Sequence, residues 1–154
     1  MIGRIVQLSV SAGGVPKRAI PRAEVTPLGL AGDVQKHRAI HGGPARALCL
    51  FALEVIERLQ AEGHPIAPGS TGENVTIAGL DWAALGPGAR LALGDEVIVQ
   101  VTSLTDPCTQ IAGSFTGGEF RRIVARGDSR LCASVERVGE LKVGDRVVRL
   151  DDAG

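Results

Sequence analysis

The chain has 154 residues and 16.0 kDa, with 44% hydrophobic, 22% charged and only 3% aromatic residues, which places it among globular proteins and excludes disordered and fibrous classes. Its 17 basic and 17 acidic residues cancel, and with no Tyr, one Trp and three Phe it has neither the electrostatic footprint nor the stacking platform of a general nucleic-acid binder. No window approaches the roughly 18–20 apolar residues of a membrane-spanning helix and the first residues lack a signal-peptide layout, so the expectation is a single cytoplasmic domain over 1–154 that binds neither nucleic acid nor membrane.

Val6 to Val10 alternates apolar and polar residues, the period of a half-buried strand, and Arg46 to Phe51 is a short apolar run that reads as a buried one. Leu53, Ile56 and Leu59 recur at helical spacing up to Gly63, predicting a short amphipathic helix over Leu53 to Glu62. Asn74 to Ile77 alternates again. Arg90 to Thr102 reads as two strands about a Gly94-Asp95 turn, the second apolar on both faces and therefore central in its sheet. Phe120, Ile123 and Val124 predict a second helix over Gly118 to Arg126, and Leu131 to Val135 another strand. Leu141 to Val147 echoes Leu91 to Val97 around its own Gly-Asp pair, so the same hairpin device is expected there. Many short strands, two short helices and 21 glycines point to a mainly β, barrel-like domain with helices at its rim.

The neutral net charge hides an asymmetry: residues 1–46 carry seven basic groups against two acids. An anionic ligand could dock there, although solvated surface charge is often uneven. The same region holds Asp33, Gln35, His37, Arg38, His41, Gly42, Gly43, Pro44 and Arg46. His37 and His41 have the spacing of zinc ligands on one helix face, but the Gly-Gly-Pro that follows ends any helix and the glutamate of a zinc-protease motif is missing. Loop-fixing histidines remain an alternative, as does a ligand-binding loop whose glycine N–H groups and arginines meet a phosphate. Gly72, Glu73 and Asn74 sit in a second glycine loop, readable as turn residues or as hydrogen-bonding partners for a heterocycle. No P-loop and no G-x-G-x-x-G fingerprint occurs.

Three cysteines, with no C-x-x-C pair, argue against a disulfide framework or a cysteine zinc cluster. Cys108 follows Pro107 at a strand end, placed as a metal ligand or nucleophile would be, while Cys49 and Cys132 lie inside apparent strands and read as small core hydrophobes.

The strings Gly32-Asp33-x-Gln35, Ile40-His41-Gly42-Gly43-Pro44-x-Arg46-Ala47, His64-Pro65-Ile66-x-Pro68-Gly69-x-x-Gly72-Glu73-Asn74 and Pro107-Cys108-x-x-Ile111 resemble those of the MOSC domain, named for the C-terminal part of molybdenum-cofactor sulfurase. The resemblance runs from about Gly32 to Leu131, and in outline over the whole chain. It implies a barrel that binds the molybdenum cofactor (molybdenum-molybdopterin) with Cys108 as metal ligand and catalytic centre. It also implies reduction of a small N-hydroxylated substrate with electrons from a separate donor protein. Carried onto this chain, the cofactor contacts fall on Asp33, His37, His41, Gly42, Gly43, Arg46, Gly72, Glu73, Asn74, Pro107, Gln110 and Arg130. Where relatives carry a His-Pro-Gly-Trp-like string, this chain has Arg126-Gly127-Asp128-Ser129-Arg130.

The chain has no iron–sulfur cysteine set, and none of its three lysines sits in a Schiff-base setting, so pyridoxal phosphate is not expected. Two alternatives stay open: a non-catalytic cofactor carrier or sulfur-transfer module using a persulfide on Cys108, and a zinc-dependent hydrolase using His37, His41 and Asp33 or Cys108.

Overall fold

The computed structural model describes residues 2–11, 15–33 and 43–150. Eleven strands are present among them: β1 Ile2–Val10, β2 Arg18–Ile20, β3 Arg22–Thr26, β4 Gly29–Leu30, β5 Leu48–Ala52, β6 Val75–Ala78, β7 Arg90–Leu93, β8 Val97–Leu104, β9 Leu131–Arg137, β10 Gly139–Lys142 and β11 Arg146–Leu150. The order β11-β7-β8-β9-β5-β6-β1 closes on itself through β1–β11 pairing, giving a seven-stranded barrel in which only β5–β6 is parallel. Closure removes the open edges that a flat sheet would present. β2 extends β1 beyond the barrel, and β3, β4 and β10 form a separate small sheet.

The barrel interior is filled by alternate residues of its strands, among them Leu48 and Leu50 of β5, Leu91 and Leu93 of β7, Val97, Val99 and Val101 of β8, and Leu131 and Ala133 of β9, all almost completely buried. β8 lies between β7 and β9, as its apolar character predicts. In β1 the inward face is Ile5 and Leu8, not Val6 and Leu8, because the register against β6 shifts between Ile5 and Gln7. Such a bulge inserts one residue and reverses the alternation beyond it.

The helix α1, Leu53–Ala61, follows β5 without a loop and buries Val55, Ile56 and Leu59. It stops where Gly63 turns left-handed (φ 100°), with His64 N–H donating to the Leu59 carbonyl and Gly63 N–H to that of Gln60. This pair of bonds is the glycine C-cap that satisfies the last carbonyls.

The segment expected to form a second helix winds only into 3-10 turns at Thr116–Gly118 and Phe120–Ile123. Gly117 and Gly118 adopt left-handed φ values (67° and 72°), which halts an α-helix before it can start. The expected hairpin at Leu141 to Val147 is also corrected. β10 pairs with β3 and β11 with β1 and β7, so Gly144-Asp145 carries the chain from the small sheet into the barrel. Among the described residues no helix is long and apolar enough to cross a membrane.

Candidate functional site

On the outer face of the barrel wall at β5 and β9, three segments converge to roof a cleft of about 690 Å³, part of it open to solvent. Thr105 to Ile111 descends from the end of β8, Thr71 and Gly72 come from the turn before β6, and Val15 and Lys17 from the approach to β2. Arg46, Leu48, Cys49, Arg130 and Cys132 complete the lining.

Cys108 lies in extended backbone (φ −137°, ψ 175°) at the start of the 3-10 turn Thr109–Ser114, whose first bond runs from Ile111 N–H to the Cys108 carbonyl. Proline before it and the turn after it fix its backbone on both sides. Cys108 and Gln110 both line the cleft, as do Arg46 and Gly72 among the sequence-derived candidates.

Arg130 is 6% exposed and has no carboxylate within ion-pair distance among the described residues. Its Nη1 donates to the Thr71 carbonyl at 2.6 Å, while its Nε has no hydrogen-bond partner among the described residues. A buried cation in that condition carries an uncompensated desolvation cost unless an anion meets it. Lys17 also borders the cleft, but it is ion-paired to Asp33 at 2.6 Å with both side chains nearly buried. Among the described residues, Arg130 is thus a buried cation of the cleft lining with no carboxylate in ion-pair contact.

Other candidates hold the walls instead of lining them. Asp33 accepts from Ser11 N–H, Lys17 Nζ and Asn74 Nδ2, so both its oxygens are engaged. Asn74 accepts from Cys49 N–H through Oδ1, tying the second glycine loop to β5. Glu73 is fully buried and accepts from Gly69 N–H and the hydroxyls of Thr71 and Thr76. Burial pushes its carboxyl above the ordinary range, against the opposing hydrogen bonds and the Arg130 charge. Gly69, at φ 85°, is needed for this loop, since a Cβ there would lie 2.8 Å from the Lys17 carbonyl oxygen. Pro107 precedes Cys108, and Gly43 accepts from Arg46 N–H, without either lining the cleft itself. His37, His41 and Gly42 lie outside the described residues.

Cys49 and Cys132 are strand residues, as expected, Cys132 buried and Cys49 half-buried, but they line the cleft on the outer barrel face instead of filling the barrel. Burial raises the Cys49 thiol to about 12, and Cys132 Sγ lies 3.1 Å from Thr105 Oγ1. Their place was hidden in the sequence by the roofing loops, which cover the outer face and leave both cysteines in an apolar run. Among the described residues no group of three His, Cys, Asp or Glu is placed to hold a metal ion.

The MOSC domain family model matches residues 37–148. The chain belongs to the MOSC domain family. It is 34% identical over 87 residues to the uncharacterized protein YflK of Bacillus subtilis, covering 54% of this chain and 38% of that protein. It is 31% identical over 104 residues to protein YiiM of Escherichia coli, covering 65% and 46%. This MOSC chain thus matches less than half the length of either curated relative. Its fold is similar to that of the Bacillus subtilis YUAD protein (TM-score 0.77, 18% identity, 96% of this chain and 94% of that one). It is equally similar to YiiM from Geobacillus stearothermophilus (TM-score 0.76, 21% identity, 97% and 75%).

Proposed function

We propose that this MOSC protein binds the molybdenum cofactor in the cleft and reduces small N-hydroxylated compounds with electrons from a separate donor. The observation that carries the reading is Arg130, a buried guanidinium with an unpartnered Nε lining the same cleft as the Cys108 thiol. A cofactor that ends in phosphate at one side and needs a soft metal ligand at the other fits this donor set. Cys108 Sγ would hold the metal. Arg130 and Arg46 would hold the phosphate, with the Thr71-Gly72 turn against the pterin. Glu73, Asn74 and Asp33 act through the loops that they fasten.

When bound, the cofactor supplies a two-electron redox centre. The overall reaction consumes two electrons and two protons, breaks the N–O bond and releases water. The Cys108 thiolate would hold the metal at the cleft wall. The open side of the cleft admits a small substrate and protons from solvent.

Reduction of an N-hydroxylated base by reduced viologen dye tests the reading on protein that contains molybdenum and pterin. Turnover is expected for the native chain and loss of at least 100-fold for Cys108→Ser with unchanged folding. Absence of turnover in cofactor-loaded native protein would assign the chain a carrier or sulfur-transfer role.

A further inference from the structure

The geometry points to Cys49 and Cys132 as a cross-strand dithiol that closes to a disulfide in the floor of the cleft, a two-electron modification site distinct from Cys108. The pair is directly opposed in the β5–β9 register. Which of the two antiparallel pair types it forms follows from where the backbone of Cys49 points. Its N–H donates to Asn74 Oδ1 at 2.9 Å and its carbonyl accepts from Asn74 N–H at 2.8 Å. Both groups turn toward the β6 side, leaving none for β9, so Cys49 and Cys132 form a non-hydrogen-bonded pair. Such pairs have Cα atoms about 4.5 Å apart with side chains on one face, inside the roughly 4.4–6.8 Å range that a disulfide spans.

Neighbouring pairs settle which face this is. Leu48 opposes Ala133 and Leu50 opposes Leu131, and all four are buried in the barrel. Side chains alternate along a strand, so Cys49 and Cys132 share the opposite face, and both line the cleft, which Leu48 also borders. Cys49 is half-buried and borders the cleft, so the cleft is the route by which a small reagent reaches the pair.

The chemistry needs a low-molecular-weight disulfide as oxidant. One cysteine sulfur, giving up its proton, attacks the reagent to form a mixed disulfide and release one reagent thiol. The second cysteine attacks the protein sulfur of that mixed disulfide, forming the Cys49–Cys132 bond and releasing the second thiol. The protein loses two electrons and two protons, and the reagent disulfide gains them. Burial holds the Cys49 thiol up to about 12, so the exchange is slow and restricted to reagents that enter the cleft.

The inference stands independently of the cofactor reading, because its test needs no cofactor. The full chain is equilibrated with 2-hydroxyethyl disulfide and its thiol at a ratio that fully oxidises dithiothreitol. It is then quenched with acid, alkylated and digested without reduction. Mass spectrometry is expected to find the Cys49 and Cys132 peptides joined, two hydrogens lighter than their sum, in most molecules. Cys108→Ser should give the same crosslink to within twofold. In concentrated urea the preferred partner of Cys132 should become Cys108, because that pair closes the shortest loop and Cys49–Cys132 the longest. Independent alkylation of Cys49 and Cys132 in the folded chain would overturn the inference, as would a crosslink from either to Cys108.

Discussion

At the residue scale, side chains that line the cleft differ from side chains that hold its wall. Glu73 belongs to the second kind, since its carboxyl collects three donors that would otherwise be buried without partners. Glu73→Ala should destabilise the protein by about 2–4 kcal/mol in a denaturant titration, because orphaned buried donors cost more than a lost bond. Glu73→Gln keeps an acceptor oxygen and offers an amide to the Thr71 hydroxyl, so it should cost less than half as much. Equal losses for both would show that packing, not hydrogen bonding, explains Glu73. Arg130 belongs to the first kind. Arg130→Met removes a charge that lacks an ion-pair partner among the described residues, so the ligand-free protein should keep its stability or gain up to about 2 kcal/mol. The same substitution should lower cofactor retention at least tenfold. A stability loss above about 2 kcal/mol would make Arg130 a structural residue.

At the scale of elements, the C-terminal end of α1 is tied to the turns before β9. Arg122 bridges Glu62 and Asp128, and Asp128 also pairs with Arg58. The hydrogen bond from Arg122 holds the Glu62 carboxyl below its ordinary range. Its folded-state value is thus lower than its unfolded one, so the contribution is present at neutral pH and fades as pH falls through the folded-state value. Glu62→Gln should therefore lower Tm slightly at neutral pH and low salt. The difference from the native protein should vanish in acid and shrink in about 1 M salt, where the Debye length is near 3 Å; a difference that persists in both would exclude an electrostatic origin. Much of the element map was legible in the sequence, because β5, β7, β8 and α1 have short, unbroken hydrophobic periods that match their burial. β2, β3 and β4 were not, since these strands are short, carry exposed Arg18, Arg22 and Glu24, and pair partly with distant segments. The spacing of Phe120 and Ile123 predicts a helix over Gly118 to Arg126 but says nothing of Gly117 and Gly118 in left-handed conformation.

At the scale of the whole molecule, barrel closure assembles the cleft from residues as far apart as Val15 and Cys132. The Pro-Cys string and the second glycine loop announced two of its walls from sequence, and the basic first third supplied Lys17 and Arg46. Neither Cys49 and Cys132 as cleft residues nor Asp33, Glu73 and Asn74 as fasteners could be read without knowing which loops cover the β5–β9 wall. We propose a molybdenum–pterin cofactor held in this cleft through Cys108. Its most direct test is molybdenum content and pterin fluorescence of protein purified from a molybdenum-replete host, for the native chain and for Cys108→Ser. About one molybdenum and one pterin per native chain are expected, with a marked fall in molybdenum and pterin largely kept in the variant. Zinc at about one per chain with no pterin, or molybdenum undiminished in Cys108→Ser, would contradict it.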